Sequence, residues 1–125
     1  MKKFVPLFFI ILGFAGCKKT TSYTMDGKWT YPGNSLNTMY IYENGQRYTY
    51  YCIGSNCDSL YNTFQAGDTN ALPAVHNYSF VNDTLRVDLH FGNELVALIT
   101  FECDGGKLFM DGEFSHLWRL SSDCQ

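Results

Sequence analysis

From Leu85 to Phe91 the chain alternates strictly: Leu85, Val87, Leu89 and Phe91 are apolar, and Arg86, Asp88 and His90 between them are polar. A period of two places the two sets on opposite faces of an extended strand, and one buried face with one solvated face belongs to an antiparallel sheet. The pattern returns after Gly92-Asn93 in Leu95, Ala97, Ile99, Phe101 and Cys103, then briefly in Leu108 and Met110, and in Leu117-Trp118-Arg119-Leu120. Upstream, residues 37–43 and 46–53 flank Asn44-Gly45, a pair that accepts positive φ at both centres of a type I′ turn and so marks a two-residue hairpin. Short strands are also expected at residues 27–31 and 77–81, the latter turning at Asn82-Asp83. About eight strands and no helix result. The expected class is all-β, a small antiparallel up-and-down barrel, because closure removes the exposed edges.

Pairing through Asn44-Gly45 sets Met39 against Tyr50 and Ile41 against Tyr48 on one face, with Tyr40 against Thr49 and Tyr42 against Arg47 on the other. The first face is the more apolar and is assigned to the interior, together with Tyr78, Phe80, Leu85, Val87, Leu89, Ala97, Ile99, Phe101 and Met110. Tyr40, Tyr42 and Tyr51 are then left outside as a candidate binding face, since rigid amphipathic rings suit contact with protein or glycan. The bulk of the inward set predicts a largely filled lower barrel with a shallow pocket at one end. One parity conflict stands out: a two-residue Gly92-Asn93 turn opposes Leu89 to Val96 rather than Ala97, so a three-residue loop or a bulge is required. Residues 54–75, rich in Gly, Asn, Asp, Ser and Pro, read as one long irregular connection in which Leu60, Tyr61 and Phe64 offer at most a turn of helix.

The N-terminus is of another kind. Met1-Lys2-Lys3 is followed by an apolar run to Phe14 and by Ala15-Gly16-Cys17, the parts of a secretory signal in a run too short to span a bilayer. Its end, Phe14-Ala15-Gly16-Cys17, resembles the lipobox of bacterial lipoproteins, with Phe14 where an aliphatic residue is usual. That resemblance implies acylation of Cys17 (diacylglycerol, palmitate) and anchoring in the cell envelope, at the outer membrane. Residues 1–16 are read as signal peptide, 17–25 as lipidated tether, and 26–125 as the barrel domain.

Loss of Lys2 and Lys3 with the signal makes the formal charge of −3 more negative still. An acidic domain lacks the basic footprint that nucleic acid requires, and a monomer is expected. Four cysteines remain beside Cys17, an even number in an exported chain, which suggests disulfides. Cys52 and Cys57 are too widely spaced for a redox pair and read as one bridge; Cys103 and Cys124 would form the second, tying down the tail.

Gly27-Lys28-Trp29 opening the first strand, Asp83-Thr84-Leu85 starting a central one and Trp118-Arg119-Leu120 closing the last are similar to the bacterial lipocalin-like lipoproteins. The likeness spans residues 26–120. It implies that Trp29 packs at the closed end of the barrel under Arg119, a cation over an aromatic face.

Catalytic chemistry has little support. His76, His90 and His116 fall on separate segments, and Asp88, Glu94, Glu102 and Asp111 read as solvated strand faces. No phosphate loop, nucleophile elbow or zinc-protease motif is present. Neither enzyme activity nor a cofactor or metal is expected. The expected function is binding of a small apolar ligand at the barrel mouth, gated by residues 54–75. The alternative is an envelope protein-binding or inhibitor role through the tyrosine face, comparable in build to the small lipoprotein inhibitors of lysozyme, whose Ser-Gly-x-x-Tyr type of signature is missing.

Overall fold

The structure is a computed structural model and describes residues 22–31, 38–113 and 115–124. Eight strands, each antiparallel to its neighbours, close into a barrel in sequence order: β1 (Gly27–Thr30), β2 (Thr38–Glu43), β3 (Gln46–Tyr51), β4 (His76–Val81), β5 (Thr84–Asp88), β6 (Glu94–Glu102), β7 (Lys107–Asp111) and β8 (Ser115–Arg119). The fold is thus the lipocalin-like up-and-down barrel. Residues 1–16, expected as signal peptide, and Cys17, the expected lipidation site, lie outside the described residues.

The turns follow from their chemistry. Asn44 and Gly45 sit at φ 50° and 76°, and Asn82 and Asp83 at 51° and 60°, the left-handed pairs that two-residue hairpins need. Between β5 and β6, residues 90–92 form a three-residue loop, closed by a 2.9 Å bond from Leu89 N–H to the Asn93 carbonyl. That loop resolves the parity conflict by setting Leu85 opposite Ala97 and Val87 opposite Leu95, so both apolar sets face inward.

The 54–75 connection is not structureless. It contains a helix, α1 (Cys57–Thr63), which buries Tyr61, and a Cys52–Cys57 disulfide fastens its start to the end of β3. A second disulfide, Cys103–Cys124, holds the C-terminal tail to the β6–β7 connection.

α1 and the following residues cover the outer wall, which reverses the expected sidedness of the hairpin. The register is as the turn dictates, Met39 with Tyr50 and Ile41 with Tyr48. This apolar face, however, looks outward. With Cys52, Tyr61 and Phe64 it forms a second core, in which Tyr50 stacks on Phe64 at 4.9 Å and donates a hydrogen bond to the Gln65 carbonyl. Tyr42 packs instead into the main barrel core, buried among β1 and β4–β8, with Tyr40 against its edge. Of the three tyrosines expected outside, only Tyr51 is exposed. Period-two alternation separates two faces but does not say which is inner when a covering element buries both.

The barrel is sealed at the end where β1 starts and β8 finishes. Trp29 is fully buried and its indole N–H donates to the Met25 carbonyl at 2.8 Å. The Arg119 guanidinium lies 4.2 Å from the Trp29 ring centre and donates to the Asp26 and Gly105 carbonyls at 2.8 and 3.2 Å. Gly27, at φ 131°, leaves the space that Arg119 Nη1 occupies; any Cβ there would collide with it. Met25 is 1% exposed and Tyr23 packs on Phe101, so the folded unit reaches back to Tyr23, ahead of the boundary expected at residue 26. The reason is that the Met25 backbone and side chain are needed to close the floor under Trp29.

Replacing Trp29 by Ala should cost about 3–5 kcal/mol, the range for deleting a buried aromatic, because the floor loses both its filling and the surface on which Arg119 rests. Denaturant unfolding measures this, and a mutant with the wild-type midpoint contradicts the closure described.

Candidate functional site: a tyrosine-lined interior wall

The interior changes character around the barrel. On the wall made by β5–β8 it is apolar, with Leu85, Ile99, Leu108 and Leu117 buried in one cluster with Trp29. On the wall made by β1–β4 it is phenolic. Tyr31, Tyr40, Tyr42 and Tyr78 form a ladder of edge-on rings, with centres 6.0, 6.3 and 5.0 Å apart in succession. The register builds this ladder: Trp29 pairs with Tyr40 and Gly27 with Tyr42, so the strand that carries Trp29 inward carries those tyrosines inward beside it.

One charge enters this wall. Arg47 stands opposite Tyr42 on β3, is 8% exposed, and places its guanidinium 4.6 Å from the Tyr40 ring centre. Its Nε is buried without a hydrogen-bond partner. Arg47 also ends the β3–β4 seam, which is short: Gln46 pairs with Asn77 and Arg47 with His76, and beyond them β3 accepts a bond from Leu72 N–H at the Thr49 carbonyl. Residues 64–75 therefore take the place of β4 beside the upper part of β3.

The environment holds these phenols neutral. Burial pushes the Tyr42 hydroxyl up to about 12, against the opposing influence of the Arg47 charge and a hydrogen bond from it. Tyr31 is raised by burial and by its neighbour Tyr40. Tyr78 is raised by burial and by the hydrogen bond it donates to Asp26, 2.7 Å long. Burial likewise raises Tyr50 in the outer core to about 12.

Other residues singled out from the sequence lie elsewhere. His76 and His90 meet at the upper rim, ring centres 4.9 Å apart, bonded to the carbonyls of Asp88 and Val75. His116 lies 3.8 Å from Glu102, which also faces Lys107 at 3.6 Å, while Arg86 pairs with Glu94 at 2.9 Å. None of these carboxylates reaches the tyrosine wall. Sequence reasoning missed Arg47, Tyr31 and Tyr78 as members of one cluster; the usable signal was the β1–β2 pairing, since an inward Trp29 fixes the sidedness of everything in register with it.

A cleft of about 560 Å³ on the outer wall, between β1–β2 and the α1 segment, is lined by Lys28, Ile41, Glu43, Asn62 and Phe64 among others. Its cation is already engaged: Lys28 Nζ donates to the Tyr61 and Asn62 carbonyls at 2.9 and 3.2 Å and tethers α1 to the barrel. The tyrosine wall, with the buried Arg47 beside it, is the more unusual arrangement and is taken as the candidate site.

The class that the geometry defines is a closed eight-stranded antiparallel barrel with a tyrosine-lined wall on β1–β4 and an apolar wall on β5–β8. Comparison with family models, curated proteins and solved structures finds no match.

A tyrosine whose folded-state pKa is raised ionises first in the unfolded chain, so its contribution to stability is complete below about pH 10 and is lost as the pH climbs toward 12. The tyrosinate absorbance of Tyr31, Tyr42, Tyr50 and Tyr78 should therefore appear late, together with alkaline unfolding. Early ionisation of all nine tyrosines in a still-folded protein contradicts the burial assigned to them.

Proposed function

We propose that this chain is a non-catalytic, lipocalin-like binding lipoprotein of the bacterial cell envelope, anchored at the outer membrane through acylated Cys17 and holding a small, largely apolar ligand in the upper barrel. The supporting observation is the asymmetry of the interior: a wall of four tyrosines on β1–β4 faces an apolar wall on β5–β8 in a barrel closed at one end by Trp29 and Arg119. Such a wall offers flat, rigid contact area at low entropic cost, which is the material of binding sites.

The anchor fits this reading. Tyr23 and Met25 are bound at the sealed end, and the six residue steps from Cys17 to Tyr23 reach roughly 20 Å at full extension. The sealed end then faces the bilayer and the opposite end of the barrel faces the aqueous compartment. A protein-binding role through Tyr40, Tyr42 and Tyr51 loses its main support, because the first two rings belong to the interior.

Two measurements test the proposal. Cys17→Ser should move the protein out of the membrane fraction, since acyl chains and not the short tether hold it there; identical fractionation of mutant and wild type overturns the anchor. Titration with a panel of small aromatic and aliphatic compounds should give saturable quenching of tyrosine emission, weakened in Tyr40→Ala, and absence of saturable binding across the panel overturns the function.

A further inference from the structure

The sequence sets His76 and His90 on separate segments, and the barrel brings them together. His76 opens β4 and His90 follows β5, and their ring centres lie 4.9 Å apart with the planes inclined by 35°. Each ring commits one nitrogen to a backbone carbonyl: His76 Nδ1 donates to Asp88 at 2.9 Å and His90 Nε2 donates to Val75 at 3.0 Å. A carbonyl only accepts, so those two nitrogens carry the hydrogens, and in the neutral rings His76 Nε2 and His90 Nδ1 are left as bare lone pairs. Neither nitrogen has a hydrogen bond or ion pair among the described residues. The bracing is reciprocal, because the residue before His76 holds His90, and Asp88, two residues before His90, holds His76. Asp88 also acts through its side chain: Oδ1 accepts the His90 N–H at 2.9 Å, which supports the left-handed φ of 69° at which His90 reaches β4.

We propose that His76 Nε2 and His90 Nδ1 form a binding site for a divalent first-row transition-metal ion, with Cu²⁺ held most tightly. An imidazole whose other N–H is anchored to a carbonyl is the usual form of a metal-ligating histidine, because the anchor sets both the tautomer and the ring orientation. The spacing fits. A metal–nitrogen bond of about 2.0–2.1 Å puts an ion roughly 3 Å from each ring centre, and two such arms at right or tetrahedral angles hold the centres about 4.5–5 Å apart. The charge fits too, since Asp88 is exposed beside the pair and forms no ion pair among the described residues. An ion can enter directly from water, because His90 is exposed and His76 is half-buried. No third histidine, cysteine or carboxylate joins the pair among the described residues, so the remaining coordination positions go to water or to a ligand carried by the ion. Two neutral imidazole nitrogens favour Ni²⁺, Cu²⁺ and Zn²⁺ over the oxygen-seeking Ca²⁺ and Mg²⁺, and within that series affinity peaks at Cu²⁺. The site shares no residue with the tyrosine wall and stands whether or not that wall binds a ligand.

The test titrates the full chain, stripped of metal with a chelator and held in a neutral detergent, with Cu²⁺ and in parallel with Zn²⁺. Calorimetry should show saturable Cu²⁺ binding that excess Ca²⁺ does not displace, with Zn²⁺ competing for the same site more weakly. His76→Ala and His90→Ala should each weaken Cu²⁺ binding at least about tenfold, since losing even the partner of a ligand costs that much. His116→Ala, which removes the remaining histidine of the chain, should leave it unchanged. The electron paramagnetic resonance spectrum of the bound Cu²⁺ should carry splitting from two imidazole nitrogens in the wild type and from one in either single variant. Should the His76 or His90 variant fail to fold, the wild type alone decides: Cu²⁺ should broaden the ring resonances of His76 and His90 and spare those of His116. Absence of saturable Cu²⁺ binding, an affinity unaltered in both His76→Ala and His90→Ala, or broadening centred on His116 overturns the site.

Discussion

A barrel differs from an open sheet only if its first and last strands meet, and here that meeting is brief. β1 and β8 share two residue pairs, Trp29 with Arg119 and Thr30 with Trp118. Even with the bond from Leu120 N–H to the Lys28 carbonyl beside them, so short a pairing would be a weak clasp. What secures it is that one of those pairs is also the plug: Arg119 lies over the Trp29 ring and collects the Asp26 and Gly105 carbonyls, drawing together the N-terminal segment, the last strand and the β6–β7 connection. The Cys103–Cys124 bridge holds the tail that follows Arg119 to the same corner. Burial lowers the Arg119 pKa, with Asp26 acting in the other direction, and the group remains a cation throughout the useful pH range.

The second constraint is that α1 and the residues after it cover the outer face of the β2–β3 hairpin, so the chain has more than one core. It builds two, on either side of the β2–β3 hairpin. The inner one fills the barrel; the outer one, from Met39, Ile41, Tyr50, Tyr61 and Phe64, glues α1 and its neighbours to the wall. A hairpin buried on both faces needs aromatics on both, which is why five tyrosines crowd into it. Lys28, reaching from β1 to the carbonyls that end α1, adds a polar tie to that apolar contact.

These two features place the candidate site. The plug fixes Trp29 inward, and through the β1–β2 register Tyr40, Tyr42 and Arg47 are carried inward with it. The outer core meanwhile holds residues 64–72 against β3, so that beyond Arg47 strand pairing gives way to a loop contact. A buried cation, a row of phenols and a shortened seam thus fall together as consequences of how the barrel closes.

The sequence by itself determined the strands and their order. Asn44-Gly45 and Asn82-Asp83 name their own turns, the alternation from Leu85 to Phe101 names its own faces, and the spacing of the cysteines agrees with the two bridges found. All of these are local: turn chemistry and side-chain period act within a few residues and need no knowledge of what lies opposite. Only the tertiary structure decided which face of the first hairpin is inner, that Tyr23 and Met25 belong to the domain, and that Tyr61 and Phe64 contribute to a helix-capped outer core while Leu60 stays exposed. Arg47 shows why. Beside a turn it reads as a solvated strand residue, and a two-residue period is equally satisfied with its face in or out. The choice was made by a covering helix and by register to Trp29, interactions between residues distant in sequence that no local pattern encodes.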